Sequence, residues 1–236
     1  MIKNLLTGAG LVSTLLTMPV HAGSNVQKDT FDVLGSVMDQ TKKEINAKAI
    51  LKGNKEDAEQ FREKLVAGWW EFMQANSTAK PGEYCTATFM RAKREVRDHG
   101  VDGFKEGVAI TLFGPGGDYR GALLAFTPLS EDHVFPRLNA GQKVLITLKQ
   151  GNEMPTTLNA FYMTVGKTAL PMIAFAVPSM DDLMTVMEDK WSFELIYQNK
   201  SIADIAWHSG TKAREELKKC LLGKPFDDKS RLKDAI

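Results

Sequence analysis

An α+β fold, in which an antiparallel sheet carries a helix and follows a helical hairpin, is what this 236-residue sequence predicts, and three observations predict it. Apolar residues recur at three- and four-residue steps from residue 29 to about 76. Beyond the Pro81-Gly82 breaker, short alternating or apolar runs alternate with glycine turns. A capped amphipathic segment then closes the chain.

The opening MIKNLLTGAGLVSTLLTMPVHAGS carries Lys3, an uncharged stretch to Val20, and small residues around His21-Ala22, the pattern of an export signal. Gly8, Gly10 and Pro19 interrupt the apolar part, leaving it short of the ~20 residues of a bilayer span. The sequence therefore predicts a signal peptide over 1–22, a mature chain from about Gly23 without a transmembrane segment, and a periplasmic or secreted location. No cysteine follows the signal, so a lipoprotein is not expected.

Phe31, Leu34, Met38, Thr41 and Ile45 mark a first helix, and Lys52-Gly53-Asn54 a break with Asn54 as N-cap. Phe61, Leu65, Trp69, Phe72 and Met73 then mark a second, with acids in its first turn where the macrodipole favours them. This helical hairpin occupies 23–80. An α+β domain over 81–225 follows, with strands expected at 83–91, 107–113, 119–127, 142–149, 157–165, 169–177, 191–197 and 202–207. These form an antiparallel meander of about seven or eight strands. Ser179 with Asp182 opens a short helix in capping-box fashion. The last helix starts after Ser209-Gly210 and ends at Gly223, with Ala213, Leu217, Cys220 and Leu221 on its buried stripe and Lys212, Glu215, Glu216 and Lys219 turned away. Residues 226–236 read as a polar, frayed tail.

The chain is 43% hydrophobic and 25% charged with a formal net charge of +1, values ordinary for a globular protein. Loss of Lys3 with the signal brings the charge to about zero. No global field then favours nucleic acid or anionic lipid, and nucleic acid is not an expected partner. Cys85 and Cys220 are the two cysteines. In an oxidising compartment they are expected to pair, closing a loop of about 135 residues that removes ~4 to 5 kcal/mol of unfolded-state entropy. A reactive thiol at Cys220 is disfavoured by its place at a helix C-terminus.

Recognised catalytic and ligand motifs are missing. GPGGDYRG, from Gly114 to Gly121, lacks the Gly-Lys-Ser/Thr ending and the following helix of a phosphate loop and reads as a hairpin tip bearing Arg120. His99, His133 and His208 have no partner at zinc-ligand spacing, so neither metal nor cofactor is expected. Asp181-Asp182 is explained as helix N-terminal charge and Asp227-Asp228 as tail. His208 next to Ser209 could place a base beside a hydroxyl, but no Gly-x-Ser-x-Gly elbow surrounds it, and no catalytic residue is assigned. The basic run Arg91, Lys93 and Arg94 could dock an acidic partner or simply guard a sheet edge. Trp69-Trp70, on adjacent helical positions, cannot both enter one narrow stripe.

Together these features lead to the expectation of a non-catalytic binding protein of the cell envelope, such as an inhibitor or adaptor. It would meet a protein partner through a surface drawn from Trp69, Trp70, Arg91, Lys93, Arg94 and Arg120. Two alternatives stand beside it: a hydrolase with a dispersed site using His133, His208 and Asp132, and a homo-oligomer assembled through the N-terminal helices.

Overall fold

The computed structural model describes residues 55–74, 79–96, 102–117, 119–130, 133–165 and 169–227. The expected signal peptide, the first helix of the hairpin and residues 228–236 lie outside the described residues. Helix α1 (Lys55–Ala67) is the second helix of the expected hairpin and is shorter than the sequence predicts. It stops at Gly68, whose φ of +84° and N–H bond to the Lys64 carbonyl (2.8 Å) make a left-handed C-terminal cap. A Cβ there would fall 2.5 Å from the Phe89 ring, so glycine is demanded by space as well as by backbone.

Beyond Gly68 the chain is strand, not helix. β1 (Trp69–Gln74) pairs antiparallel with β2 (Cys85–Val96), Trp70 opposite Phe89 and Glu71 opposite Thr88. Its aromatic residues suit a pleated surface, and the period of two sends Trp70 and Phe72 to one face and Trp69 and Glu71 to the other. The expected continuation of the helix to Met73 is thus corrected: the apolar spacing fitted both periods, and Gly68 decides between them.

β3 (Asp102–Phe113), β4 (Ala122–Pro128), β5 (Lys143–Gln150), β6 (Thr156–Val165), β7 (Leu170–Val177), β8 (Trp191–Tyr197) and β9 (Lys200–Trp207) complete a nine-stranded sheet. Its order is β1-β2-β3-β4-β7-β6-β5-β8-β9. All neighbours are antiparallel. The expectation of a plain meander holds through β4 and then fails. The connection after β4 carries the chain across, so that β7 rather than β5 lies beside β4, and β5 pairs with both β6 and β8. Sequence spacing reports strands but not which of two antiparallel neighbours a strand chooses.

The sheet curls into a half-barrel that brings β9 toward β2. No ladder joins them. Instead Arg91 Nη1 donates to the Ala206 carbonyl (3.3 Å) and Lys93 Nζ to Asp204 Oδ2 (2.9 Å), and the β2 bulge between Arg91 and Lys93 sits at this seam. Inside, Phe89, Ile110, Phe126, Ile146, Phe193 and Trp207 form a continuous core with α2 (Met180–Thr185) and α3 (Gly210–Leu221). A second cluster, including Phe113, Leu123, Met163 and Met172, occupies the outer face. With apolar packing on both sides, every residue of β4 is buried, which explains its unbroken apolar sequence.

Ala213, Leu217 and Cys220 are buried on α3, as the stripe predicts. Cys220 is bonded to Cys85 with Cα atoms 5.8 Å apart, joining the start of β2 to the end of α3. Glu216 departs from expectation: it is only 2% exposed. Its carboxylate accepts from Lys219 Nζ (2.9 Å) and from the Asp227 backbone N–H (2.9 Å). Lys219 also bonds Asp227, and Phe226 stacks on Phe72 with centroids 5.9 Å apart. The beginning of the expected polar tail is therefore fastened to the domain. Among the described residues no helix is long and apolar enough to cross a membrane.

Candidate functional site

Among the described residues an open cleft of about 660 Å³ lies at the end of β8 and β9. Four separate pieces of chain build it. The β5–β6 turn supplies Gly151 and Asn152, the connection from α2 to β8 supplies Glu188 and Lys190, the strand ends supply Trp191 and His208, and the β2 bulge supplies Arg91.

Each piece is held by backbone. Gly151 N–H donates to the Ser192 carbonyl (2.9 Å), and a Cβ on Gly151 would come within 3.1 Å of the Trp191 ring, so the turn lies directly against the indole. Trp207 Nε1 donates to the Glu188 carbonyl (3.1 Å) and Gly210 N–H to that of Asp189 (2.9 Å), fixing the wall formed by Glu188 and Lys190. Arg91 gives Nε to the Val66 carbonyl (3.0 Å) and Nη1 to that of Ala206. Neither bond neutralises the guanidinium. Among the described residues Arg91 and Lys190 form no ion pair, although the Glu188 carboxylate also lines the cleft, so two cations stand beside a half-buried indole.

His208 has the most determined geometry here. Its Nε2 lies 3.1 Å from both the Ala67 and Gly68 carbonyls. Carbonyls only accept, so Nε2 carries the proton, and in the neutral ring Nδ1 is an acceptor. Ser209 Oγ stands 3.0 Å from Nδ1 and donates to it. Trp70 Nε1 binds the His208 carbonyl, and Phe89 meets the ring edge-on at 5.2 Å.

The residues singled out from sequence are dispersed. Of the expected surface, Arg91 alone lines the cleft. Trp70 packs against Phe89 and Trp207 in the inner core. Trp69 is on the opposite face, edge-on to Phe61 at 6.3 Å, beneath Lys64 Nζ at 5.0 Å, and donating Nε1 to Glu71. Both indoles thus have intramolecular places, because strand geometry separates them by half a turn where a helix would not. Lys93 is paired with Asp204 across the seam, and Arg94 is exposed. Arg120 is exposed on the β3–β4 tip, where Gly116 and Gly117 lie against the Tyr84 ring. There burial pushes the Tyr119 phenol up from its ordinary pKa, and its hydroxyl donates to the Ala122 carbonyl (2.9 Å).

His133 is edge-on to Phe135 at 6.0 Å and does not line the cleft. Asp132 and His99 lie outside the described residues. No group of three or more metal-binding side chains is assembled among the described residues. Sequence reasoning passed over Asn152, Lys190 and Trp191, which are dispersed in sequence and were read only as turn or strand. The sequence neighbours His208, Ser209 and Gly210, set between a strand and a helix, were the one available pointer to this place.

Compared with known proteins, the chain matches no family model, no curated protein and no solved structure.

Proposed function

We propose that this is an exported binding protein of the cell envelope or the secreted fraction, and that the cleft beside Trp191 receives a segment of a protein partner. The observation that carries the reading is the pairing of a half-buried indole with Arg91 and Lys190, two cations that form no ion pair among the described residues. An aromatic platform contributes contact area at low entropic cost, and nearby unpaired cations select an acidic segment. The buried Cys85–Cys220 bond supports the compartment, since such a link persists where thiols are kept oxidised.

Affinity capture from an envelope extract tests it. Wild-type protein should retain a specific partner, released at raised salt. Trp191→Ala and Arg91→Glu should each lose it while melting within a few degrees of wild type. Retention by both variants removes the cleft from the proposal. Arg120→Glu, on a different loop, should keep the partner.

A further inference from the structure

Among the described residues two serines stand at the N-cap of a helix, and only one of them caps. Ser179 precedes α2 with extended backbone (φ −148°, ψ 162°), and its Oγ accepts the Asp182 N–H at 3.0 Å. That is the usual arrangement. Ser209 precedes α3 with φ 56° and ψ 30°, the left-handed region that side-chain-bearing residues rarely adopt, and makes no side-chain cap bond. Its hydroxyl is given to His208 instead. A hydroxyl diverted from capping and held in an uncommon backbone conformation between a strand and a helix is placed as nucleophilic serines of strand-to-helix turns are, although the glycine pattern of such turns is missing here.

The rest of the arrangement meets the geometric conditions for activation. The base lies within hydrogen-bond reach of the hydroxyl at 3.0 Å, and a third group orients the base: the Ala67 and Gly68 carbonyls, each 3.1 Å from Nε2. Those carbonyls fix the tautomer that leaves Nδ1 free to take a proton, and they stabilise the imidazolium that results. His208 lines the cleft, and Ser209, its chain neighbour, is not itself a lining residue but is partly exposed. The hydroxyl also sits at the positive end of α3, a helix of 12 residues, where the Thr211 amide has no acceptor among the described residues. Negative charge developing there is favoured.

We propose that Ser209 and His208 are a nucleophile and base that hydrolyse carboxylic esters at the cleft. Ser209 Oγ attacks the ester carbonyl carbon as its proton passes to His208 Nδ1, giving a tetrahedral oxyanion beside the start of α3. The oxyanion collapses, the bond to the leaving oxygen breaks, and the imidazolium proton goes to that oxygen, releasing an alcohol and leaving the acyl group on Ser209. Water then attacks the acyl-serine with His208 taking its proton. The acid departs and the serine hydroxyl is restored. One ester and one water become one acid and one alcohol, and no other reactant is needed. The inference rests on the cleft being where the ligand binds.

The disulfide-bonded full chain should be treated with a fluorophosphonate probe, the adduct located by peptide mass spectrometry, and p-nitrophenyl acetate hydrolysis followed in parallel. Ser209 should carry the adduct. Ser209→Ala should abolish both label and turnover, and His208→Gln should slow labelling by about 100-fold or more. Ser179→Ala, which disturbs only a cap, should keep both. An intact Ser209 in labelled wild-type protein overturns the proposal and needs no variant to fold. Hydrolysis that persists in Ser209→Ala overturns it equally. Partner capture that survives while Ser209 stays unmodified leaves the binding reading standing, and the converse result separates the two in the other direction.

Discussion

Gly210 occupies a position that no other residue can take without displacing the wall of the cleft. A Cβ there would stand 2.1 Å from the Glu188 carbonyl oxygen and 2.9 Å from Trp207 Nε1, the two atoms of one hydrogen bond. Gly210→Ala must push residues 187–190 outward and leave a buried indole N–H unsatisfied. A loss of about 2 to 4 kcal/mol is expected from the clash and the orphaned donor together. Gly141 supplies the control: its φ is +84°, but nothing lies within 4 Å of a built Cβ, so alanine there should cost only the backbone strain of about 1 to 2 kcal/mol. Urea denaturation of the two variants measures the difference. Indole fluorescence should shift for Gly210→Ala alone. Equal losses would mean that the contact with Glu188 carries no strain. Residues of this kind are invisible to sequence reasoning, because Ser209-Gly210 reads equally well as an ordinary helix entry.

Among the elements, those bounded by chemistry were legible and those bounded by tertiary choice were not. The capping box at Ser179, the buried stripe of α3 and eight of the strands follow from spacing and breakers that act locally. β1 was missed because Trp69, Phe72 and Met73 satisfy a helical stripe as well as a pleat, and only pairing with β2 resolves them. Glu216 was placed outside because its charge says "surface", whereas the structure buries it under partners supplied by Lys219 and by the backbone of Asp227. This clasp has a pH signature. Hydrogen bonds to Asp227 first and to Glu216 next hold the Lys219 ammonium above the ordinary lysine value of 10.5. A cation stabilised in the folded state contributes fully below its unfolded pKa, and the contribution disappears as pH rises through the folded one. Burial acts on Tyr119 in the same direction, since its neutral form is favoured in the fold. Melting temperature should therefore fall as pH rises above the ordinary tyrosine and lysine values of 10.0 and 10.5. Lys219→Met should start lower and fall less steeply above those values. A Lys219→Met curve parallel to wild type would show that the clasp contributes nothing.

At the scale of the whole molecule, the half-barrel is open along the seam between β2 and β9, where side chains rather than a ladder span the gap. Both flanks of that seam lie inside the 135-residue loop closed by Cys85 and Cys220. The pairing itself was legible in a sequence with two cysteines and the pattern of an export signal. What it encloses was not, because the jump from β4 to β7 is set by long-range packing. Since the loop contains nearly the whole sheet, its main effect is expected on the unfolded chain, which gains freedom when the bond is removed. Cys85→Ala/Cys220→Ala should lose about 4 to 5 kcal/mol of stability. The urea m-value should rise, because an unfolded chain without the link exposes more surface. The near-ultraviolet spectrum of the folded state should change little, since Phe89 packs on Trp70 and both Phe126 and Trp207 pack on Phe193, ring to ring. An unchanged m-value with an altered aromatic spectrum would place the effect in the native state instead, meaning that the bond holds α3 against the sheet where the packing of Leu217 and Ala213 cannot do so alone.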